Sequence, residues 1–388
     1  MQIMRKIIIF TAASFLLFSF SCTNAQEPLL LQDQVSIVKA RVVAVLNEEQ
    51  KNVPGTDVVS TYQTLKAEIL EGPKRGEIIT LNDDYLKLEA GDFFLLRDTI
   101  RAEDKAQLYS VSDSYRLPAL TIFAVIFILL VLAIGGVQGI RGLLSLAGSL
   151  LLILYVLIPG ILEGYSPILM SMAVSSLIIV LGSYVTHGFN RTTSSAVIGM
   201  IITVMVTGAL AYWSVSMTHL TGFESDEAVY LNLSTRGGID IVGILLSGIM
   251  IGLLGVLYDV AIGQAISVEE LHKIAPHVSR RKIYLRALRM GREHIGALVN
   301  TLAIAYVGAS LPLLLLFSFS ETASLSVLNR EIFATEIVRT LIGSIGLVLA
   351  VPITTLLAVW ILVKKSEKVD NELIALENKA IEHAGHKH

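Results

Sequence analysis

Seven apolar segments dominate the chain from Leu117 onward, at about 118–136, 142–159, 167–186, 195–215, 241–263, 294–318 and 337–363. Each reaches the roughly 17–25 residues that a helix needs to cross a bilayer. Hydrophobic residues make up 53% of the 388 positions and charged residues only 16%, against about 25% charged in a soluble domain. Thirty basic and 33 acidic residues leave a net charge of −3, so bulk charge does not recruit a polyanion, and nucleic acid is excluded as a partner on that ground. The composition also argues against disorder and against a disulfide scaffold. It predicts a polytopic membrane protein with a modest water-soluble portion.

The N-terminus has the form of a secretory signal. Arg5 and Lys6 precede an apolar run from Ile7 to Phe20, and Thr23-Asn24-Ala25 supplies small residues for cleavage after Ala25. The competing reading is acylation of Cys22, for which the bulky Phe20 is poorly suited. Cys22 is the single cysteine. Cleavage after Ala25 would leave a mature chain without thiol chemistry.

Residues 27–116 have a different pattern. Val35 to Val45 is β-branched and roughly alternating, and similar runs recur at Thr61–Leu70, Glu77–Leu81, Phe93–Arg97 and Leu108–Val111. Gly and Asx punctuation separates them, as at Gly72-Pro73, Asn82-Asp83-Asp84 and Gly91-Asp92. About five short strands predict a small barrel of OB or SH3-like type. Tyr62, Tyr85 and Tyr109 do not form a stacking series, so the expected role is structural or partner docking.

Loop charges give an orientation. After spans 1, 3, 5 and 7 come Arg141, Arg191, a loop with Lys273, Arg280, Arg281, Lys282, Arg286, Arg289 and Arg292, and then Lys364-Lys365. The opposite connections carry Glu163, Glu224, Asp226, Glu227, Asp240, Glu321, Glu331 and Glu336 beside few cations. The positive-inside rule places the C-terminus in the cytoplasm and the β domain outside. No inverted repeat is evident in the sequence.

Polar residues within the spans mark candidate function. Gly248, Gly252, Gly255, Asp259 and Gly263 share one face of span 5 at 100° per residue. Such a stripe predicts close helix approach, and a carboxylate on it is a candidate ion or proton site. The plainer alternative is that Asp259 hydrates a helix end. Glu293, Gly296, Asn300 and Gly308 share a face of span 6 with Thr301 at its edge, so Asn300 could hydrogen-bond Asp259 or serve only as an interhelical bond. Gly308 with Pro312, and Pro352, could break spans 6 and 7. Ser171, Ser175 and Gly182, and then Gly199, Thr203 and Thr207, form two further seams of small residues, expected to serve packing. Ser279 to Met290 suits an interfacial amphipathic helix meeting lipid headgroups, with a phosphate site as the alternative.

Enzyme templates fail. There is no H-E-x-x-H, G-x-S-x-G or Walker A sequence, and the one Tyr258-Asp259 pair cannot form an aspartyl dyad. His383, His386 and His388 could hold a metal loosely, but the expected reading is an exposed tail. No metal, cofactor or catalytic residue is expected.

Two blocks carry a family resemblance. One is Gly252-Leu253-Leu254-Gly255-Val256-Leu257-Tyr258-Asp259-Val260-Ala261; the other runs from Gly291-Arg292-Glu293-His294 through Asn300-Thr301 to Tyr306, extended by Gly308, Ser310, Leu311 and Pro312. With them, the chain resembles the YibE/F family of bacterial multi-pass membrane proteins across most of 118–363. That family more commonly has Asp where this chain has Glu293, a change that keeps the carboxylate.

The combined expectation is an α-helical polytopic bundle of about seven spans preceded by a small exported all-β barrel-like domain. Its parts are a signal peptide at 1–25, a β domain at 27–116, a membrane domain at 117–363 and a cytoplasmic tail at 364–388. Two functions compete. One is a permease for a small solute or ion using Asp259, Glu293, Asn300 and Thr301, with Gly248, Gly252, Gly255 and Gly308 packing the helices. The other is an envelope scaffold or sensor in the bacterial inner membrane whose β domain docks a protein partner.

Overall fold

The computed structural model describes residues 34–363, apart from 53–54, 56–57, 85, 103 and 320–323. The expected signal peptide, Cys22, Tyr85 and residues 364–388 fall outside the described residues. The chain divides into two compact units, Met1–Ile126 and Phe127–His388.

Five antiparallel strands build the first unit: β1 (Gln34–Asn52), β2 (Val59–Ile69), β3 (Ile78–Asp83), β4 (Phe93–Ile100) and β5 (Gln107–Ser114). They form one sheet in the order β3-β2-β1-β4-β5. β1 is long enough to serve two neighbours: Gln34–Arg41 pairs with β4, and Ala40–Asn52 pairs with β2. Register shifts between Val42 and Ala44 and between Val45 and Asn47 mark the local bulging that curls a sheet into a half-barrel. Period-two alternation puts Ala40, Val42, Leu65, Ala67, Ile69, Ile79, Leu81, Phe94 and Leu96 in one core, capped by Leu88. The Gln63 side-chain amide pairs with the Leu88 backbone, accepting from its N–H at 2.8 Å and donating to its carbonyl at 3.1 Å. This holds the β3–β4 loop over the core. Tyr109 receives the Lys74 ammonium, which also pairs with the buried Asp98 at 3.0 Å.

The second unit is helical. The elements are α1 (Leu117–Leu152), continued through a π turn (Ile153–Leu157) into α2 (Ile158–Leu162), then α3 (Pro167–His187), α4 (Arg191–Met217) and α5 (Asp226–Ser234). There follow α6 (Ile241–Ile274), α7 (Arg280–Ala309), α8 (Leu311–Ser318), α9 (Ser324–Leu328) and α10 (Glu331–Leu362). Side-chain caps start three of them: Asn190 accepts from Thr193 N–H, Ser225 from Ala228 N–H and Asp240 from Gly243 N–H.

Among the described residues, five helical stretches are long and apolar enough to cross a membrane, or six if the α7–α8 pair, bent by 67°, counts as one span. This differs from the expected seven in a specific way. Predicted spans 1 and 2 fall in one 46-residue helical run, Leu117–Leu162, rather than being joined by a loop. At 1.5 Å per residue the parts on either side of Gly136, 117–135 and 137–162, are about 28 and 39 Å long, each close to or above the roughly 30 Å of a hydrocarbon core. Gly136 interrupts the run with a non-helical backbone at φ 52° and ψ −134°, a conformation accessible to glycine. Predicted span 6 also changes: the basic segment after Ser279 is the first half of α7 itself, and the bend comes at Ser310.

The helical core lies where α4, α6 and α10 meet, around Met200, Val204, Met250, Leu253, Leu257, Leu347 and Ala350. Glycine permits the closest approaches. A Cβ on Gly199 would stand 2.6 Å from Thr354 Oγ1, and one on Gly346 would stand 2.8 Å from Thr207 Oγ1. On each helix the glycine and the threonine are eight residues apart, so antiparallel α4 and α10 exchange knob and hole twice. Thr207 and Thr354 are buried without a conventional hydrogen bond among the described residues. Facing glycine Cα–H groups, they are placed for weak Cα–H···O contacts.

Candidate functional site

Helix α6 has two contrasting faces. Met250, Leu253, Leu257, Val260, Ala261, Gln264 and Ala265 are buried. Gly248, Gly252, Gly255, Asp259 and Gly263 lie together on an exposed face. The shared stripe follows from the 3.6-residue period, but the expected close packing on it is not what the structure contains. Among the described residues a Cβ at Gly248, Gly255 or Gly263 would meet nothing within 4 Å, and one at Gly252 would meet only the Tyr306 hydroxyl at 3.3 Å. The physical reason is that small residues permit close approach without supplying the knob that fills the groove. Gly308 is likewise exposed with nothing within 4 Å.

Glu293, Asn300 and Thr301 on α7 are exposed as well. Thr301 Oγ1 donates to the Ala297 carbonyl at 2.9 Å, back-bonding within its own helix. Two contacts fix how α6 and α7 run past each other: a Cβ on Gly291 would stand 2.6 Å from Gln264 Nε2, and Gly252 faces Tyr306. In that antiparallel register Asp259 is level with about Gly296, so it stands within about one helical turn of Asn300 in depth. Asn300 nevertheless projects about 180° round α7 from the packed Gly291. No hydrogen bond joins Asp259 to Asn300 among the described residues.

Several bonds that tie the helices together involve residues the sequence did not single out, Gln264, Thr355, Thr192 and Gln138 among them. At the α6–α7–α10 junction, Thr355 Oγ1 donates to Gln264 Oε1 at 2.9 Å, both residues being buried. Thr192 Oγ1 donates to Glu269 Oε2 at 2.6 Å, joining the start of α4 to α6. Arg280 donates from Nε and Nη2 to the Val363 carbonyl at 2.8 and 2.7 Å, so the first residue of α7 caps the end of α10. The Tyr258 hydroxyl donates to the Gly182 carbonyl at 3.3 Å, and Gln138 Nε2 to that of Thr186 at 3.2 Å. A lone amide in an otherwise apolar stretch, as at Gln264, was the one local signal available. The other partners are 48 to 91 residues apart in the chain.

The opposite end of the unit is acidic. Glu331 accepts from the backbone N–H groups of Thr221 and Gly222 at 2.6 and 2.7 Å and from the Thr221 hydroxyl at 2.8 Å. Arg339 pairs with Glu336 and, at 3.2 Å, with Glu224 Oε1. Glu224 Oε2 is buried with no hydrogen-bond partner among the described residues. Burial pushes this carboxyl above the usual carboxylate range despite Arg339 beside it, and Glu336 and Glu331 push the same way. The alternating helices therefore gather cations and the α10 terminus at one end and three glutamates around Arg339 at the other.

Among the described residues no group of three or more His, Cys, Asp or Glu could hold a metal ion. The exposed Asp259 face joins a carboxylate to backbone left bare by glycine, an arrangement suited to binding a proton or cation. The chain matches the family described as YibE/F-like protein over residues 123–364. No curated protein and no solved structure matches it. The match covers more than half of the sequence, spans every helix of the second unit except the start of α1, and fits the apolar helices of a membrane protein: the chain belongs to the YibE/F-like protein family.

Proposed function

We propose that this protein is a permease for a small solute or ion, with Asp259 as its proton- or cation-binding group. The observation that carries the reading is Asp259 itself: it is exposed on the glycine face of a helix long and apolar enough to cross a membrane. A carboxylate facing hydrocarbon is costly, so this face needs water, a substrate path or a covering helix. Glu293, Asn300 and Thr301 give α7 a second polar face at a similar depth. Transport on this reading requires α7 to turn that face toward α6, pivoting at the 67° bend near Ser310. A disulfide formed by Gly255→Cys with Ala297→Cys in a Cys22→Ser background would report the turn.

The reading includes seven spans, obtained by dividing Leu117–Leu162 at Gly136 and counting α7–α8 as one. It places the basic end in the cytoplasm of a bacterium by the positive-inside rule, with the β domain exported behind a signal peptide. The order β3-β2-β1-β4-β5 with a long shared β1 fits a five-stranded barrel of OB type, and this domain is the surface on which an envelope partner would dock.

Flux in proteoliposomes is the test. Asp259→Asn and Asp259→Ala should both abolish flux while the protein stays monodisperse. Rescue by Asn of what Ala loses would assign Asp259 a structural role. Unchanged flux in both variants would remove it from the mechanism. Wild-type vesicles silent across a broad panel of ions and metabolites would favour a non-transporting scaffold.

A further inference from the structure

The first three to four turns of α7 carry an unusual surface. Arg281, Lys282, Arg286, Arg289 and Arg292 are all exposed, and none forms an ion pair among the described residues. Lys282, Arg286 and Arg289 lie within about 60° of one another, with Arg281 and Arg292 flanking them on one side. The opposite face is anchored, because Ile283, Ala287 and Gly291 are buried. Leu285 and Met290 are 52% and 44% exposed beside the cations. A surface mixing aliphatic side chains with arginines suits the boundary between headgroups and acyl chains better than it suits a soluble polyanion.

Depth gives an independent argument. Gly291 packs on Gln264, so in the antiparallel register Arg286 is level with about Glu269. Glu269 is bonded to Thr192, in the first turn of α4. Arg286, Arg289 and Arg292 therefore occupy the slab where a spanning helix begins, which is the headgroup level of a bilayer.

We propose that this face of α7 is a binding site for anionic phospholipid headgroups. The proposal rests on the helical unit being embedded in a membrane and not on transport. In nanodiscs of defined composition, the full chain should bind phosphatidylglycerol in preference to phosphatidylcholine. The triple variant Lys282→Gln, Arg286→Gln, Arg289→Gln should lose on the order of a hundredfold in that preference, at roughly fivefold per cation near the surface. Arg286→Lys with Arg289→Lys should retain most of it, and Lys66→Gln with Arg75→Gln in the β domain should leave it unchanged. A wild-type chain without preference, or a triple variant that keeps it, overturns the proposal. So does displacement of the lipid by millimolar inorganic phosphate, which would indicate a site for a free anion.

Discussion

Helices α4 and α6 both carry small residues at helical spacing, yet one stripe is filled and the other bare. Along α4, Gly199, Thr203 and Thr207 are buried, because α10 presents Thr354 opposite Gly199 and Gly346 opposite Thr207. Along α6, Gly248, Gly255 and Gly263 meet nothing. The difference teaches that a small-residue stripe defines a groove, whereas packing needs a knob at the matching level on a second helix. It also separates roles: the filled seam holds the unit together, and the bare one leaves a carboxylate accessible.

The comparison can be broken most sharply by adding one methyl group to each stripe. In Gly199→Ala the new Cβ would stand 3.0 Å from the Thr354 Cα as well as 2.6 Å from its hydroxyl, so backbone must move. The expected loss is about 1–3 kcal/mol, read as reduced unfolding stability in detergent. Gly255→Ala should fall within about 0.5 kcal/mol of wild type or gain slightly from helix propensity. Equal losses in the two variants would mean that α6 is packed on its glycine face in the folded protein.

A smaller effect tests the buried hydrogen bond beside the filled seam. Thr355→Val leaves the Gln264 amide without its partner and should lose about 0.6–2 kcal/mol in the same measurement. Adding Gln264→Leu should recover most of that loss, since an apolar pair leaves no buried group unsatisfied. No recovery would show that the amide has a further role at the junction.

The smallest effect concerns pH at the acidic end. The folded Glu224 carboxyl titrates above its ordinary 4.5, so the folded state holds this proton more tightly than the unfolded state. Its contribution to stability must fall as pH rises through the window just above 4.5. Glu224→Gln removes that titration. The difference in Tm between variant and wild type should therefore shift in favour of the variant as pH rises from 4.5 toward neutrality. A difference that stays constant across this range would contradict the linkage.

Local pattern by itself determined much of this protein. Alternation from Val35 onward located a strand that became part of β1, and Gly72-Pro73 and Gly91-Asp92 located turns, whereas Asn82 and Asp83 of the Asx cluster became the end of β3. Apolar length located the spanning helices, and the blocks around Asp259 and Asn300 were enough to identify the family. These features were legible because backbone periodicity and burial act over a few residues. Tertiary structure alone decided which stripe would be filled, that Asp259 and Asn300 would not be bonded, and that Leu117–Leu162 would turn at a kink on Gly136 instead of through a loop. It also chose Thr355 for Gln264, Thr192 for Glu269 and Glu331 for the Thr221–Gly222 backbone. Each of these depends on the level and rotation at which two distant helices meet. That geometry is set by steric fit between surfaces far apart in the chain, and no local run of residues encodes it.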